Sequence, residues 1–327
     1  MSSGWGGEVR AVRKLIIDLD PGIGDALAAV VALVDPAIDL LALTACAGAV
    51  PGPVASRNLQ AIVAHIDPPK WPRLGSSRTP APQVEQVPGL WEPWLGGVHG
   101  PTGLGDLEFP AAQLHNPHES PRVLVDLVRA HPHEITLLTL GPLTNIAAAM
   151  ELAPEFPGLL AGLVVCGGAL TCGGDVTAAA ESNLFLDAEA AQRVLSVREI
   201  KTLVPLDATA RVMLDLEQYV QITAGDSAAN RFLRRLLPVS FRTHRQLLGM
   251  EGLRLAEVAA LLTAIQPVGC RTQPLAVSVE TQGEQTRGSV VADRRAAFGA
   301  RPNAEVVWEI DPADVLRYLA RILGGAA

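Results

Sequence analysis

Residues 14–20, Lys-Leu-Ile-Ile-Asp-Leu-Asp, make an apolar run that closes on acids, and Pro21-Gly22 follows at once. A run of this kind suits a strand buried on both faces of a parallel sheet. The Pro-Gly pair turns the chain, and residues 25–34 read as a helix returning over that strand. Such a unit folds only if a second layer covers each face, so the chain must be able to bury a large core. With 327 residues it can bury roughly three quarters of its unfolded surface. The core is aliphatic, since 49% of residues are hydrophobic and only 4% aromatic. That apolar content with 18% charged residues excludes disorder, and 30 Gly with 25 Pro exclude a coiled coil. The net charge of -8 argues against a nucleic-acid-binding surface.

Strand-like and helix-like segments alternate beyond this point. Strands are expected at 40–46, 135–140, 163–166, 201–204, 288–292 and 305–310. Helices are expected at 54–66, 144–150 and 187–195, over most of 214–265, and from Asp311-Pro312 to Leu323. Ser120-Pro121 reads as an N-cap followed by a first-turn proline. Residues 68–111, rich in Pro, Gly and Trp, read as an extended loop with short helices. This alternation implies an α/β fold with an open, mostly parallel sheet and helices on both faces. Nothing in the composition divides the chain, so residues 1–327 are expected to form a single domain, the first dozen flexible. Ligands of such sheets sit beyond the carboxyl ends of the strands.

Cys46, Cys166, Cys172 and Cys270 form no C-x-x-C pair and read as free buried thiols in a reducing cytoplasm. No apolar stretch is long enough to cross a membrane, and the N-terminus has no apolar signal core. A cytoplasmic protein with no membrane partner is expected.

The chemistry concentrates after the first strand. Asp18 and Asp20 are two apart and share a strand face, while Asp25 can point back toward Asp20. Carboxylates that converge repel one another unless a cation sits between them, and oxygen ligands favour Ca²⁺ or Mg²⁺. The alternative is that Asp25 only caps a helix and Asp18 is a structural acceptor. A D-x-D after a strand also occurs in haloacid-dehalogenase-type phosphatases, but the partner residues such a site needs are missing in convincing order.

The stretch DLDPGIGDALA (18–28) resembles the D-x-D-P-G-x-D-D-A signature of the inosine–uridine-preferring nucleoside hydrolase family. Further similar segments follow in order: VHGPTGLGDL (98–107), TLGPLTNIAAA (139–149), VVCGGA (164–169), GDVTAAAESNLFLDAEAA (174–191), VPLDAT (204–209) and GSVVAD (288–293). The resemblance implies a Ca²⁺-dependent N-ribohydrolase that cleaves the N-glycosidic bond of a nucleoside or related glycoside. It implies that Asp20 activates the water and binds Ca²⁺ together with Asp25, Glu257 and the Leu140 carbonyl. Asp175, Glu181 and Asn183 would hold the ribose, and His99 would line the base pocket; loop caps and an ordinary histidine are the competing roles. The family precedent is a homodimer or homotetramer acting on a small-molecule nucleoside.

The departures from the pattern are specific. Gly24 stands where the second acid of the D-D pair belongs, Ala49 where an Asn does, and Thr102 where an Asp does. In the H-D-P-L-A segment Ala256 replaces the leaving-group His and Glu257 the ligand Asp. His244 and Arg254 lie nearby, with a solvated helix face as the default role for each. Restoring an acid at residue 24 is expected to tighten metal or ribose binding. A catalytically silent nucleoside- or sugar-binding homologue, and a repurposed enzyme of a specialised pathway, stand as alternatives to the hydrolase.

Overall fold

The computed structural model describes residues 12–79, 97–105, 107–110, 118–199, 201–266, 269–295 and 300–324. The expected flexibility of the first dozen residues therefore falls almost wholly outside the described ones. The chain begins β1 (Arg13–Leu19), α1 (Ile23–Val34), β2 (Ile38–Ala45), α2 (Gly52–Ile66), β3 (Arg73–Ser76) and β4 (His118–Glu119). It continues α3 (Ser120–Ala130), β5 (Ile135–Thr139), α4 (Thr144–Leu152), α5 (Phe156–Leu159), β6 (Gly162–Cys166), α6 (Ser182–Leu186), α7 (Ala188–Leu195) and β7 (Lys201–Val204). Then follow α8 (Leu206–Thr209), β8 (Met213–Leu214), α9 (Leu216–Ile222), α10 (Ala228–Leu248), β9 (Leu253–Arg254) and α11 (Ala256–Ile265). The chain ends β10 (Cys270–Val279), β11 (Val290–Asp293), β12 (Ala304–Ile310) and α12 (Pro312–Leu323).

Ten strands form one sheet in the order β11-β10-β12-β7-β6-β5-β1-β2-β3-β4. From β12 to β4 every neighbouring pair is parallel, whereas β10 runs antiparallel to both β11 and β12. Strand alternation splits β1 between two cores. Leu15, Ile17 and Leu19 pack toward α1, α2, α10, α11 and α12, while Ile16 packs on the opposite side with α3, α4 and α7. Helices thus cover both faces, as the alternation of elements requires. The strand order reverses at β1, with β2 on one side and β5 on the other. That is where a crevice opens in sheets of this kind.

Several elements differ from the sequence reading. Strands β3 and β4 fall at or beyond the stretch read as loop, and both are too short to show a period. The first half of β10 is exposed and polar and includes Pro274, so no apolar run marks it. It is nevertheless held in register by β12. The helical stretch 214–265 is broken by the two-stranded β8–β9 ladder. Ser120 is the first helical residue rather than the cap, which is Glu119. Its hydroxyl donates to the carbonyls of Ala45 and Ser76 and ties α3 to the ends of β2 and β3. The four cysteines are free, but only Cys46 and Cys166 are buried; Cys172 is exposed and Cys270 half-buried.

Candidate active site

A cleft of about 1050 Å³, counted to its open mouth, lies at the carboxyl ends of β1, β5, β6 and β7. All eight residues singled out from the sequence line it: Asp20, Asp25, His99, Leu140, Asp175, Glu181, Asn183 and Glu257. They come from five separate stretches of chain, and the sheet order brings them together.

Asp18 and Asp20 part company where β1 ends. Asp18, still in the strand, is fully buried; its Oδ1 accepts from Thr44 Oγ1 at 2.5 Å and Asn145 Nδ2 at 2.8 Å. Asn145 also donates to the Ala45 carbonyl, so this carboxyl fastens β1 to β2 and α4. It is the structural acceptor, and burial pushes its pKa up to about 7. Asp20 lies past the strand and faces the cleft, its Oδ2 accepting the Ala49 N–H at 2.6 Å. A Cβ on Gly48 would stand 1.9 Å from that oxygen, so only glycine lets the backbone approach so closely. Burial lifts the Asp20 pKa to about 7, with the charges of Glu181 and Asp18 adding to the effect and the Ala49 bond opposing it.

Asp25 sits in the first turn of α1. Its Oδ2 accepts from the Gly22 N–H at 3.1 Å, while Oδ1 is buried without a partner. Burial, then the charges of Asp20 and Glu257, raise its pKa well above the usual range. Glu257 opens α11 and is raised by burial and by the charge of Glu181. A Cβ on Gly24 would lie 2.5 Å from both Cδ and Oε1 of Glu257 and 2.6 Å from Oε2. The longer side chain at 257 therefore takes the space that a side chain at 24 would need. The two departures are one spatial arrangement, and an acid restored at 24 would collide with Glu257 rather than fill a void.

Glu181 is the N-cap of α6. It accepts the N–H groups of Asn183, Leu184 and Gly168, and burial still keeps its pKa raised. Asn183 Nδ2 donates to the carbonyl of Leu140 at 2.6 Å and that of Cys166 at 3.2 Å, joining the ends of β5 and β6. Asp175 accepts the Ser182 N–H at 2.9 Å, and burial followed by the Glu181 charge lifts its pKa to about 8. Glu181 thus acts as a helix cap and also lines the cleft, whereas Asn183 lines the cleft from within α6 and caps nothing.

His99 Nδ1 accepts the Ile23 N–H at 3.1 Å, which places the ring proton on Nε2. Burial, and next the neighbouring His244, drive its pKa down to about 4. The loop carrying it is closed by Thr102, whose Oγ1 donates to the Gly105 carbonyl at 2.6 Å. His244 and Arg254 are not on a solvated helix face. His244 is buried on α10 and Arg254 lies on β9, and both line the cleft. Gly249, at φ 64, ends α10 and donates its N–H to the His244 carbonyl. Leu237 and Ser240 of the same helix, and Ala49 and Ala256, complete this end of the cleft. The sequence missed Leu237 and Ser240 because their signal is only the apolar period of a long helix.

The donor chemistry suits a hard cation: carboxylates of Asp20, Asp25 and Glu257 with one buried oxygen unpartnered. Among the described residues no three His, Cys, Asp or Glu side chains stand gathered at ligand distance.

An open α/β sheet with an acidic cleft at its strand reversal is the arrangement in which such sheets bind ligands. The chain belongs to the inosine–uridine-preferring nucleoside hydrolase family, whose model matches residues 15–317. That family hydrolyses the N-glycosidic bond of nucleosides. The chain is 32% identical to a probable uridine nucleosidase 2 of Arabidopsis thaliana over 264 residues, 78% of each chain. It is 30% identical to a non-specific ribonucleoside hydrolase, RihC, of Escherichia fergusonii, across 96% of this chain and 99% of that one. Among solved structures, a purine-preferring ribonucleoside hydrolase from Gardnerella vaginalis superposes with a TM-score of 0.85. It shares 26% identity, over 96% of this chain and 98% of the other. Among the described residues no helix is long and apolar enough to cross a membrane.

Proposed function

We propose that the protein is a divergent, Ca²⁺-dependent N-ribohydrolase acting on a nucleoside or related glycoside. The observation that carries the reading is the single cleft lined by Asp20, Asp25, Glu257, Asp175, Glu181 and Asn183 at the strand reversal. Asp20, Asp25, Glu257 and the Leu140 carbonyl would hold the cation. The carbonyl accepts from Asn183 and keeps a second lone pair. When bound, the cation supplies a more acidic water and a grip on ribose hydroxyls.

Asp20 takes the proton of the attacking water. The cation that Asp20 would hold favours its ionised form, which is the form that accepts a proton. Asp175 and Glu181 accept from ribose hydroxyls, the latter fixed by its backbone bonds. The acids surrounding the sugar favour the positive charge that develops at its anomeric carbon. Ala256 offers no proton, so the rate should depend steeply on how well the leaving group departs by itself.

The test is hydrolysis of para-nitrophenyl riboside and inosine with Ca²⁺ and with chelator. The riboside should be cleaved much faster than inosine, Asp20→Ala should abolish that cleavage, and millimolar Ca²⁺ should raise the Tm beyond an ionic-strength control. A second reading, a silent nucleoside-binding homologue, draws on the methyl at Ala256. Ca²⁺ and ribose binding without cleavage of either substrate would select it.

A further inference from the structure

Among the described residues lining the cleft, Arg254 is the only Arg or Lys, set against five carboxylates. It sits on β9, opposite Met213 of β8, so a backbone ladder fixes where its side chain starts. Its charge reaches Asp175, Glu257 and His244. Neither carboxylate accepts a hydrogen bond from it, and its Nε is buried with no acceptor at all. A buried N–H left without an acceptor is unfavourable, and an incoming acceptor removes that cost.

The neighbouring groups cannot take its place as a charged donor. His244 Nδ1 lies 3.0 Å from the Ser240 carbonyl and 3.2 Å from the Ser240 hydroxyl, and burial lowers its pKa, which favours the uncharged ring. His99 is neutral, with Nδ1 engaged by the Ile23 N–H. Ala256, two residues beyond Arg254, carries a methyl group.

We propose that Arg254 binds the leaving group and stabilises it as an anion, in place of a proton donor. The inference rests on the hydrolase reading. The bond from the anomeric carbon to the leaving atom breaks, and its electron pair stays with the leaving group. Water adds its oxygen to that carbon and gives its proton to Asp20. The guanidinium donates hydrogen bonds to the departing anion, and solvent protonates that anion after release. The substrate class that follows is a riboside whose leaving group departs as a delocalised anion with an oxygen acceptor. A pyrimidinedione is of this kind. A purine that must be protonated on its ring is not.

The experiment compares the full-length wild type with Arg254→Gln and Arg254→Lys on uridine and para-nitrophenyl riboside. Loss of one charged donor should lower kcat/KM for uridine by about 100-fold or more. The riboside, whose phenolate leaves with little help, should lose several-fold less, and Lys should recover part of the uridine rate. A structural role would lower both substrates equally, and equal losses overturn the proposal. As a second readout, p-nitrophenolate should inhibit the wild type about tenfold more tightly than the Gln variant; equal inhibition also overturns it. If Arg254→Gln fails to fold, the uridine-to-riboside ratio of the Lys variant decides. A wild type that cleaves neither substrate refutes the hydrolase reading, and p-nitrophenolate binding, measured directly, then decides the Arg254 contact separately.

Discussion

Gly24 is the most informative position to perturb, because what a side chain there would meet is known. Gly24→Ala places a Cβ 2.5 Å from the Glu257 carboxyl carbon, where ordinary contact is about 3.5 Å or more. The carboxylate must retreat by about 1 Å. It is the far end of a side chain, so the stability cost falls at the low end for overpacking, about 1 kcal/mol, or a few degrees in Tm at most. The effect on chemistry is larger, since a 1 Å misplacement can cost about 100-fold in rate. Gly24→Ala should therefore fold normally, lose about 100-fold in kcat/KM on para-nitrophenyl riboside, and show a smaller Tm rise with Ca²⁺. Gly24→Asp should do the same or worse. Adding Glu257→Asp to Gly24→Ala shortens the side chain by one methylene and should recover part of the loss. Kinetics and thermal scans on the wild type, Gly24→Ala, Gly24→Asp, Glu257→Asp and the double variant check this. Wild-type activity and Ca²⁺ response in Gly24→Ala would refute the reasoning, as would strictly additive losses in the double variant.

Two further expectations concern ionisation. The His99 ring should titrate near pH 4 by NMR, so it contributes no inflection to the pH–rate profile between pH 5 and 8; an inflection there that vanishes in His99→Gln would contradict this. Lys201 is buried, donates to the Leu195 carbonyl at 3.1 Å and the Val197 carbonyl at 2.7 Å, and burial lowers its pKa from 10.5 to about 8. Between these values the unfolded chain binds the extra proton, so this residue makes stability rise with pH from about 8 to 10.5 and adds nothing to the slope below 8. Denaturant titrations of Lys201→Met should lack that rise, and an identical pH dependence in both chains would exclude it.

The local chemistry was legible in the sequence wherever it rests on short-range rules. The run 14–20 gave a buried parallel strand because both of its faces are apolar. Asp187 and Asp311 cap α7 and α12 as their positions suggest, each accepting a backbone N–H. The eight candidate residues were found through motifs, and each motif is a contiguous stretch. What lay outside the sequence was every property that depends on two distant segments meeting. Asp18 and Asp20 share a parity, but the end of β1 sends one beneath the sheet to Asn145 and the other into the cleft. Strand β10 has too polar a first half to be read locally and is held by its pairing with β12. Gly24 and Glu257 looked like two independent losses until the fold placed one carboxylate over the other's α-carbon. His244 and Arg254 read as solvated because charge and spacing describe a helix face, not which layer covers it. The sequence determined the acids that the cleft gathers; only the sheet order, which packs segments more than two hundred residues apart, decided which of them face one another and brought His244 and Arg254 to the same cleft.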